Sequence, residues 1–158
     1  LYVGLMITPD GPSVIEYNAR FGDPECQVIM PLLDGDWGIV CSEVAQGRMP
    51  KLKWKSESAC CVVMAAEGYP DTPVKGVPIE GLTKTAAAED GASAKSYVLH
   101  AGTTLNAAGE WVTNGGRVLN ILGLGSDIRA AIKTAYAKAE TIHFKGMQFR
   151  RDIGAKLL

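Results

Sequence analysis

The chain predicts an α+β fold built on antiparallel strands, and three observations carry that expectation. Apolar runs of strand length recur between turn-forming residues. Short helical signals interrupt them near the N-terminus, and one long apolar stripe at helical spacing lies near the C-terminus. With 158 residues, 47% hydrophobic and 21% charged, the chain has an ordinary globular composition. That length suits one compact domain, or a small domain plus part of another.

The first elements are expected at residues 2–8 and 13–18, two strands joined by Pro9-Asp10-Gly11-Pro12, whose residue types favour a turn. They make an antiparallel hairpin. Side chains alternate along a strand, so Val14, Glu16 and Asn18 are expected on one face and Ile15, Tyr17 and Ala19 on the other. Glu16 and Asn18 would then sit about 7 Å apart, both offering oxygen in the same direction. That spacing suits Mg²⁺ held between protein and nucleotide phosphates, because Mg²⁺ takes one or two protein ligands and fills its shell with phosphate and water. Beyond Arg20-Phe21-Gly22, Asp23 is expected as a helix N-cap, Pro24 as the first helical residue and Glu25 at the positive helix end. Pro31 must end or kink that helix. Residues 36–46 read as a second short helix ending near Gly47.

From about residue 50 the texture changes. Ser58–Glu67, Ser96–Thr103 and Gly116–Gly123 read as strands, with shorter pieces at Val77–Leu82 and Glu110–Thr113. Residues Leu105 to Trp111 read as a hairpin turn. Ser126 is expected to cap a long helix whose apolar stripe is Ile128, Ile132, Ala135, Ala139 and Ile142. That helix should cover one sheet face. The tail Phe144–Ile153 is expected to hold a last strand or an ordered segment. The composition shift at residues 47–57 divides the chain into residues 1–47 and residues 48–158, the latter a small, mostly antiparallel sheet domain packed with helices.

Several function classes are excluded. A net charge of −1 leaves no basic footprint for nucleic acid or an anionic membrane. No apolar run approaches the roughly 20 residues needed to span a bilayer, and no signal-peptide pattern opens the chain. A cytoplasmic protein is expected. Cys26, Cys41, Cys60 and Cys61 form no Cys-x-x-Cys pair, and on a strand Cys60 and Cys61 face opposite ways, so all four are expected to pack rather than bind zinc. His100 and His143 lack acidic or cysteine partners at metal spacing. Trp37, Trp54 and Trp111 are too scattered along the chain to promise a stacking platform for bases. The opening Leu1-Tyr2-Val3-Gly4-Leu5-Met6, already inside an apolar strand, reads as a piece of something longer.

The run Arg20-Phe21-Gly22-Asp23-Pro24-Glu25-Cys26-Gln27 resembles the signature of the phosphoribosylamine–glycine ligases, or glycinamide ribonucleotide synthetases. Glu16-Tyr17-Asn18 resembles the Glu-x-Asn magnesium pair of the ATP-grasp superfamily, to which those ligases belong. Further likenesses are His100-Ala101-Gly102-Thr103, Thr113-Asn114-Gly115-Gly116-Arg117-Val118-Leu119 and Phe149-Arg150-Arg151-Asp152-Ile153-Gly154, so the resemblance covers nearly the whole chain. It implies that residues 1–47 close an ATP-grasp domain and residues 48–158 form the sheet-rich C-terminal domain. The implied reaction joins glycine to 5-phosphoribosylamine in purine synthesis. By the same resemblance it would use ATP and a divalent metal, Mg²⁺ or Mn²⁺, with a glycyl phosphate as the intermediate.

Residue by residue, the resemblance implies that Glu16 and Asn18 bind metal and that Arg20 contacts the transferring phosphoryl group or acyl phosphate, where a guanidinium offers bidentate bonding. The competing expectation for Arg20 is a salt bridge to Asp23 or Glu25. Asp23 is expected to orient Arg20 or to meet a substrate amine. Gly115, Gly116 and Arg117 are candidates for the sugar phosphate, or else a strand-initiating turn with an exposed arginine. Arg150-Arg151 reads as a solvated pair or an interdomain contact. The strand before Glu-x-Asn holds no acid where many ATP-grasp enzymes have one, so the metal number stays open. The lobe of the fold that covers the nucleotide has no counterpart here, and the chain alone is expected to be inactive. Alternatives are another purine-pathway ATP-grasp carboligase, or a binding module that keeps the motif without the chemistry.

Overall fold

In the computed structural model, which describes residues 1–82 and 95–157, β1 (Tyr2–Thr8) and β2 (Gly11–Asn18) form the expected antiparallel hairpin. Only Pro9 and Asp10 lie between them. Gly11 takes a φ of 112°, a conformation open to glycine, so β2 starts two residues earlier than the turn residues suggest. The register pairs Gly4 with Glu16 but Leu5 with Val14, which leaves Ile15 as an extra residue in a β-bulge. Directly paired residues share a face. Val14 therefore lies with Leu5, opposite to Glu16 and Asn18, and the expected three-residue face is corrected to two.

α1 (Glu25–Ile29) follows, with Pro24 at its N-cap position and no side chain capping it. Asp23 is not the cap: its carboxylate accepts from Gln27 Nε2 and from Arg117 instead. Pro31 sits in a 3-10 turn at Met30–Leu32 that ends the helix. α2 (Trp37–Ala45) begins at Asp36, whose carboxylate accepts from the amides of Gly38 (2.6 Å) and Ile39 (3.3 Å). Residues 53–55 then run back beside residues 32–34, with the Asp34 amide donating to Lys53 and the Lys55 amide to Leu32. This return brings together aromatics distant in sequence. Phe21 meets Trp37 edge-on at 6.0 Å and Trp37 meets Trp54 at 6.3 Å. Two of the three tryptophans are thus neighbours, but in T-shaped contact rather than as a flat platform.

The C-terminal part is built on a three-stranded antiparallel sheet. Its strands are β3 (Ser58–Ala65), β4 (Ser96–His100) and a long central β7 (Arg117–Gly125), in the order β3-β7-β4. The single strand expected over Ser96–Thr103 breaks at Ala101-Gly102. Beyond it, β5 (Thr103–Leu105) pairs with β6 (Trp111–Thr113) in a separate hairpin, closed by the turn expected there. Gly102 permits the break, since a Cβ on it would lie 2.7 Å from the Cα of Gly115. Among the described residues the piece at Val77–Leu82 makes only isolated bridges, Pro78 with Val112 and Glu80 with His143; Pro78 has no amide to donate to a ladder.

α3 (Ile128–Ala139) starts one residue later than expected. Asp127 rather than Ser126 is the N-cap, accepting from the Ala130 amide at 2.9 Å. Ala131, Ile132, Ala135 and Ala139 are its buried stripe, and Ile142 is buried just past the helix end. α3 packs on the sheet face formed by Leu119, Ile121 and Gly123 of β7 with Val62 and Met64 of β3. Glycine at position 123 lets the helix backbone come close, since a Cβ there would lie 2.5 Å from the Ala131 carbonyl oxygen. The opposite sheet face, with Cys61, Tyr97, Leu99, Asn120 and Leu122, turns toward α1. Among the described residues the tail forms no strand: one bridge ties Ala65 to Gln148, and a 3-10 turn follows at Ala155–Leu157. No helix among the described residues is long and apolar enough to cross a membrane.

Candidate functional site

The pairings Tyr2 with Asn18 and Gly4 with Glu16 put Glu16 and Asn18 on one face of the hairpin base. A Cβ at Gly4 would come within 3.1 Å of Glu16 Cγ, so the stem of Glu16 lies across this glycine. The Tyr2 phenol is held above its ordinary pKa by burial, then by the charge of Glu25 and a hydrogen bond to it, and by the charge of Glu16. Negative charge is thus concentrated at this end of the strand. Two oxygen donors on one half-open face fit a divalent cation that keeps most of its shell for phosphate and water.

Arg20 is exposed just beyond β2 and donates through Nη1 to the Phe21 carbonyl at 2.7 Å. Glu25 folds back against Gly22, which has no side chain to obstruct it. Asp23 accepts from Gln27 Nε2 at 2.7 Å and from Arg117 Nη1 at 3.0 Å, and its backbone oxygen accepts from the same Nη1 at 2.6 Å. The Asp23 carboxylate therefore bonds directly to Gln27 and Arg117.

Gly115, Gly116 and Arg117 are half-buried at the start of β7. Gly115 lies on Gly102, and a Cβ at Gly116 would lie 3.0 Å from Cε2 of the Tyr69 ring. Arg117 donates through Nε to the Tyr69 hydroxyl at 3.0 Å. Tyr69 is the residue that sequence reasoning missed. It is 48 positions from Arg117, within a Gly-Tyr-Pro turn that carries no motif signal.

Between the Arg20–Gln27 segment and the outer sheet face lies an open cleft of about 1140 Å³. Arg20, Lys55 and His100 bring positive or titratable groups to it, while Leu99, Leu122 and Leu124 form an apolar floor. Asn120 in that floor is 2% exposed, and its Oδ1 has no hydrogen-bond partner among the described residues; the same is true of Gln27 Oε1. His100 stacks on Trp111 at 4.2 Å with Nδ1 2.8 Å from Thr103 Oγ1, and burial holds its imidazole below the ordinary pKa. Cys61 on this face is pushed up to about 12, by burial first and then by Cys60 and Asp23. It is a packing thiol rather than a nucleophile.

The family model for the phosphoribosylglycinamide synthetase C domain matches residues 59–156, and that for the ATP-grasp (A) domain of the same synthetase matches residues 1–26. A phosphoribosylamine–glycine ligase of Caulobacter vibrioides is 47% identical over 100% of this chain and 36% of its own length. A trifunctional purine biosynthetic protein of Gallus gallus is 45% identical over 100% of this chain and 15% of its own. The crystal structure of the phosphoribosylamine–glycine ligase from Thermotoga maritima superposes with a TM-score of 0.77 at 38% identity, covering 96% of this chain and 36% of that one. The chain spans 36% of the length of the Caulobacter ligase it matches. Residues 59–156, matched by one family model, are more than half of the chain, and the other model matches the whole hairpin and the loop after it. This chain belongs to the phosphoribosylglycinamide synthetase family.

Proposed function

We propose that this chain forms one wall of an ATP-dependent ligase site that joins glycine to 5-phosphoribosylamine, in a longer polypeptide whose preceding part supplies the opposite wall. The observation that carries this reading is the shared face of Glu16 and Asn18 at the base of β2, two residues before an exposed Arg20 in the family's signature loop. In the proposed reaction the glycine carboxylate attacks the γ-phosphate of ATP, releasing ADP and forming glycyl phosphate. The amine of phosphoribosylamine then displaces phosphate to give glycinamide ribonucleotide. Bound Mg²⁺ or Mn²⁺ would neutralise the ATP phosphates that otherwise repel the attacking carboxylate. Glu16 and Asn18 are its proposed protein ligands, the amide adding an oxygen without adding charge. Arg20 is proposed to hold the transferring phosphoryl group or acyl phosphate.

Asp23, Gly115, Gly116 and Arg117 remain substrate-side candidates with less support, because each already has a protein neighbour in place. The proposed domain boundary lies in residues 47–57, and a cytoplasmic location accords with small soluble substrates. The test is ADP release by the complete polypeptide carrying this chain. Release should depend on glycine, and dependence on bicarbonate or formate instead would overturn the reading. Glu16→Gln in the same polypeptide should lower turnover about 10²-fold or more. Near-normal turnover at every magnesium concentration would remove Glu16 from the metal site.

A further inference from the structure

We infer that Arg117 is a positioning residue for the signature loop, acting through Asp23 and anchored by Tyr69; this deepens the ligase reading and rests on it. Arg117 opens β7, the central strand, and its side chain reaches the loop 94 residues earlier. There one guanidinium nitrogen holds both the backbone oxygen of Asp23 (2.6 Å) and its carboxylate (3.0 Å). Another, Nε, donates to the Tyr69 hydroxyl at 3.0 Å. The other carboxylate oxygen of Asp23 takes Gln27 Nε2 from α1 at 2.7 Å. Asp23 is thus gripped from the sheet and from the helix, three residues after Arg20.

Tyr69 has its own seat. Its ring lies on Gly116, where any side chain would displace it, and its amide donates to the Ala66 carbonyl at 3.2 Å. The glycine pair before Arg117 is accounted for by this packing. Gly115 passes Gly102 and Gly116 receives the tyrosine ring, so the Gly-Gly-Arg run is explained without a bound phosphate.

Magnitudes separate positioning from stability. The Arg117 and Asp23 side chains remain 39% and 47% exposed, and ion pairs in that setting contribute little to stability. Catalysis is more sensitive, because a displacement of about 1 Å in a group that holds a reacting atom can cost about 10²-fold in rate. The arrangement therefore matters for where Arg20 stands rather than for whether the chain folds.

The test uses the complete polypeptide with Arg117→Gln, Arg117→Lys, Tyr69→Phe and the Arg117→Gln/Tyr69→Phe pair. Arg117→Gln should lower kcat about tenfold with KM for phosphoribosylamine within about twofold. Tyr69→Phe, which keeps the ring on Gly116, should lower kcat by about threefold, and the pair should be no slower than Arg117→Gln alone. Arg117→Lys should recover part of the loss. A second readout is amide hydrogen exchange at Cys26, whose N–H bonds to the Gly22 carbonyl at 3.0 Å inside the gripped loop; it should quicken in Arg117→Gln. A rise of about tenfold or more in KM for phosphoribosylamine with kcat retained would make Arg117 a substrate contact and overturn the inference. Additive losses in the pair, or unchanged Cys26 exchange, would overturn it too. If the unsubstituted polypeptide makes no glycine-dependent ADP, the ligase reading is what fails, and the exchange measurement still decides whether Arg117 holds the loop.

Discussion

Along β2, Val14, Ile15 and Tyr17 keep 50%, 62% and 66% of their surface exposed, whereas on β7 Val118, Leu119 and Ile121 keep none. Both are long antiparallel strands rich in apolar residues. What differs is company. β7 has a strand on either side, α3 on one face and α1 on part of the other, while among the described residues β2 pairs with β1 alone. A hairpin alone is marginal in water, and the exposed apolar side chains Leu5, Ile7 and Val14 on one of its faces are of the kind that marks an interaction site. The comparison teaches a division of labour. The sheet with α3 provides the stable body, and the metal-site candidates stand on a hairpin, with Arg20 just beyond it, that other protein is proposed to cover.

The comparison breaks most readily at the α3–sheet contact. Gly123→Val would drive a side chain into the α3 backbone, and a loss of about 3 kcal/mol or more is expected, read as a collapse of the unfolding midpoint in denaturant. A midpoint like that of the parent chain would mean that the sheet and α3 are not the stable body. A smaller effect, at mildly alkaline pH, comes from the titration of one buried thiol. Cys61 is raised to about 12 in the fold, against an ordinary thiol value of about 8.5, so the folded state holds the proton longer. Its contribution is fully present below about pH 8.5 and is lost as pH rises toward 12. Thermal unfolding of the parent chain should fall more steeply across that window than that of Cys61→Ala; parallel curves would contradict burial of the thiol. The smallest effect belongs to the hairpin. Ile15→Ser should change stability by no more than about 0.5 kcal/mol, because the side chain is mostly exposed already. A large loss would show that the hairpin has hidden support.

The same contrast explains what was legible in the sequence. Strands and helices set by local chemistry were readable: the hairpin from its Pro-Asp-Gly turn, α2 from its flanks, β3 and β7 from their apolar runs, the β5–β6 turn from its Asn and Gly. Ser126 and Asp127 are both good cap residues, and the choice between them depends on backbone direction at that step. Asp23 looks like a cap only until Arg117 arrives from 94 residues away. The bulge at Ile15 is a property of two strands together, so alternation within one of them could not reveal that Val14 changes face. Trp37 and Trp54 meet because residues 53–55 return beside residues 32–34, a path that no local pattern announces. Within the candidate site, Glu16, Asn18 and Arg20 were legible from a short motif. Tyr69 was not, since its part is defined only by Gly116 and Arg117.

The bulge in β2 also acts as a clutch between two halves of one hairpin. From Gly11 to Val14 the side chains keep one phase against β1, and from Glu16 to Asn18 they keep the other. The phase of Glu16 and Asn18 is set by their partners Gly4 and Tyr2, on the near side of the extra residue. The tip can lengthen, shorten or change its apolar face while the two oxygen donors keep their aim. A change of phase at the tip would then stop at Ile15 before it reached Glu16 and Asn18.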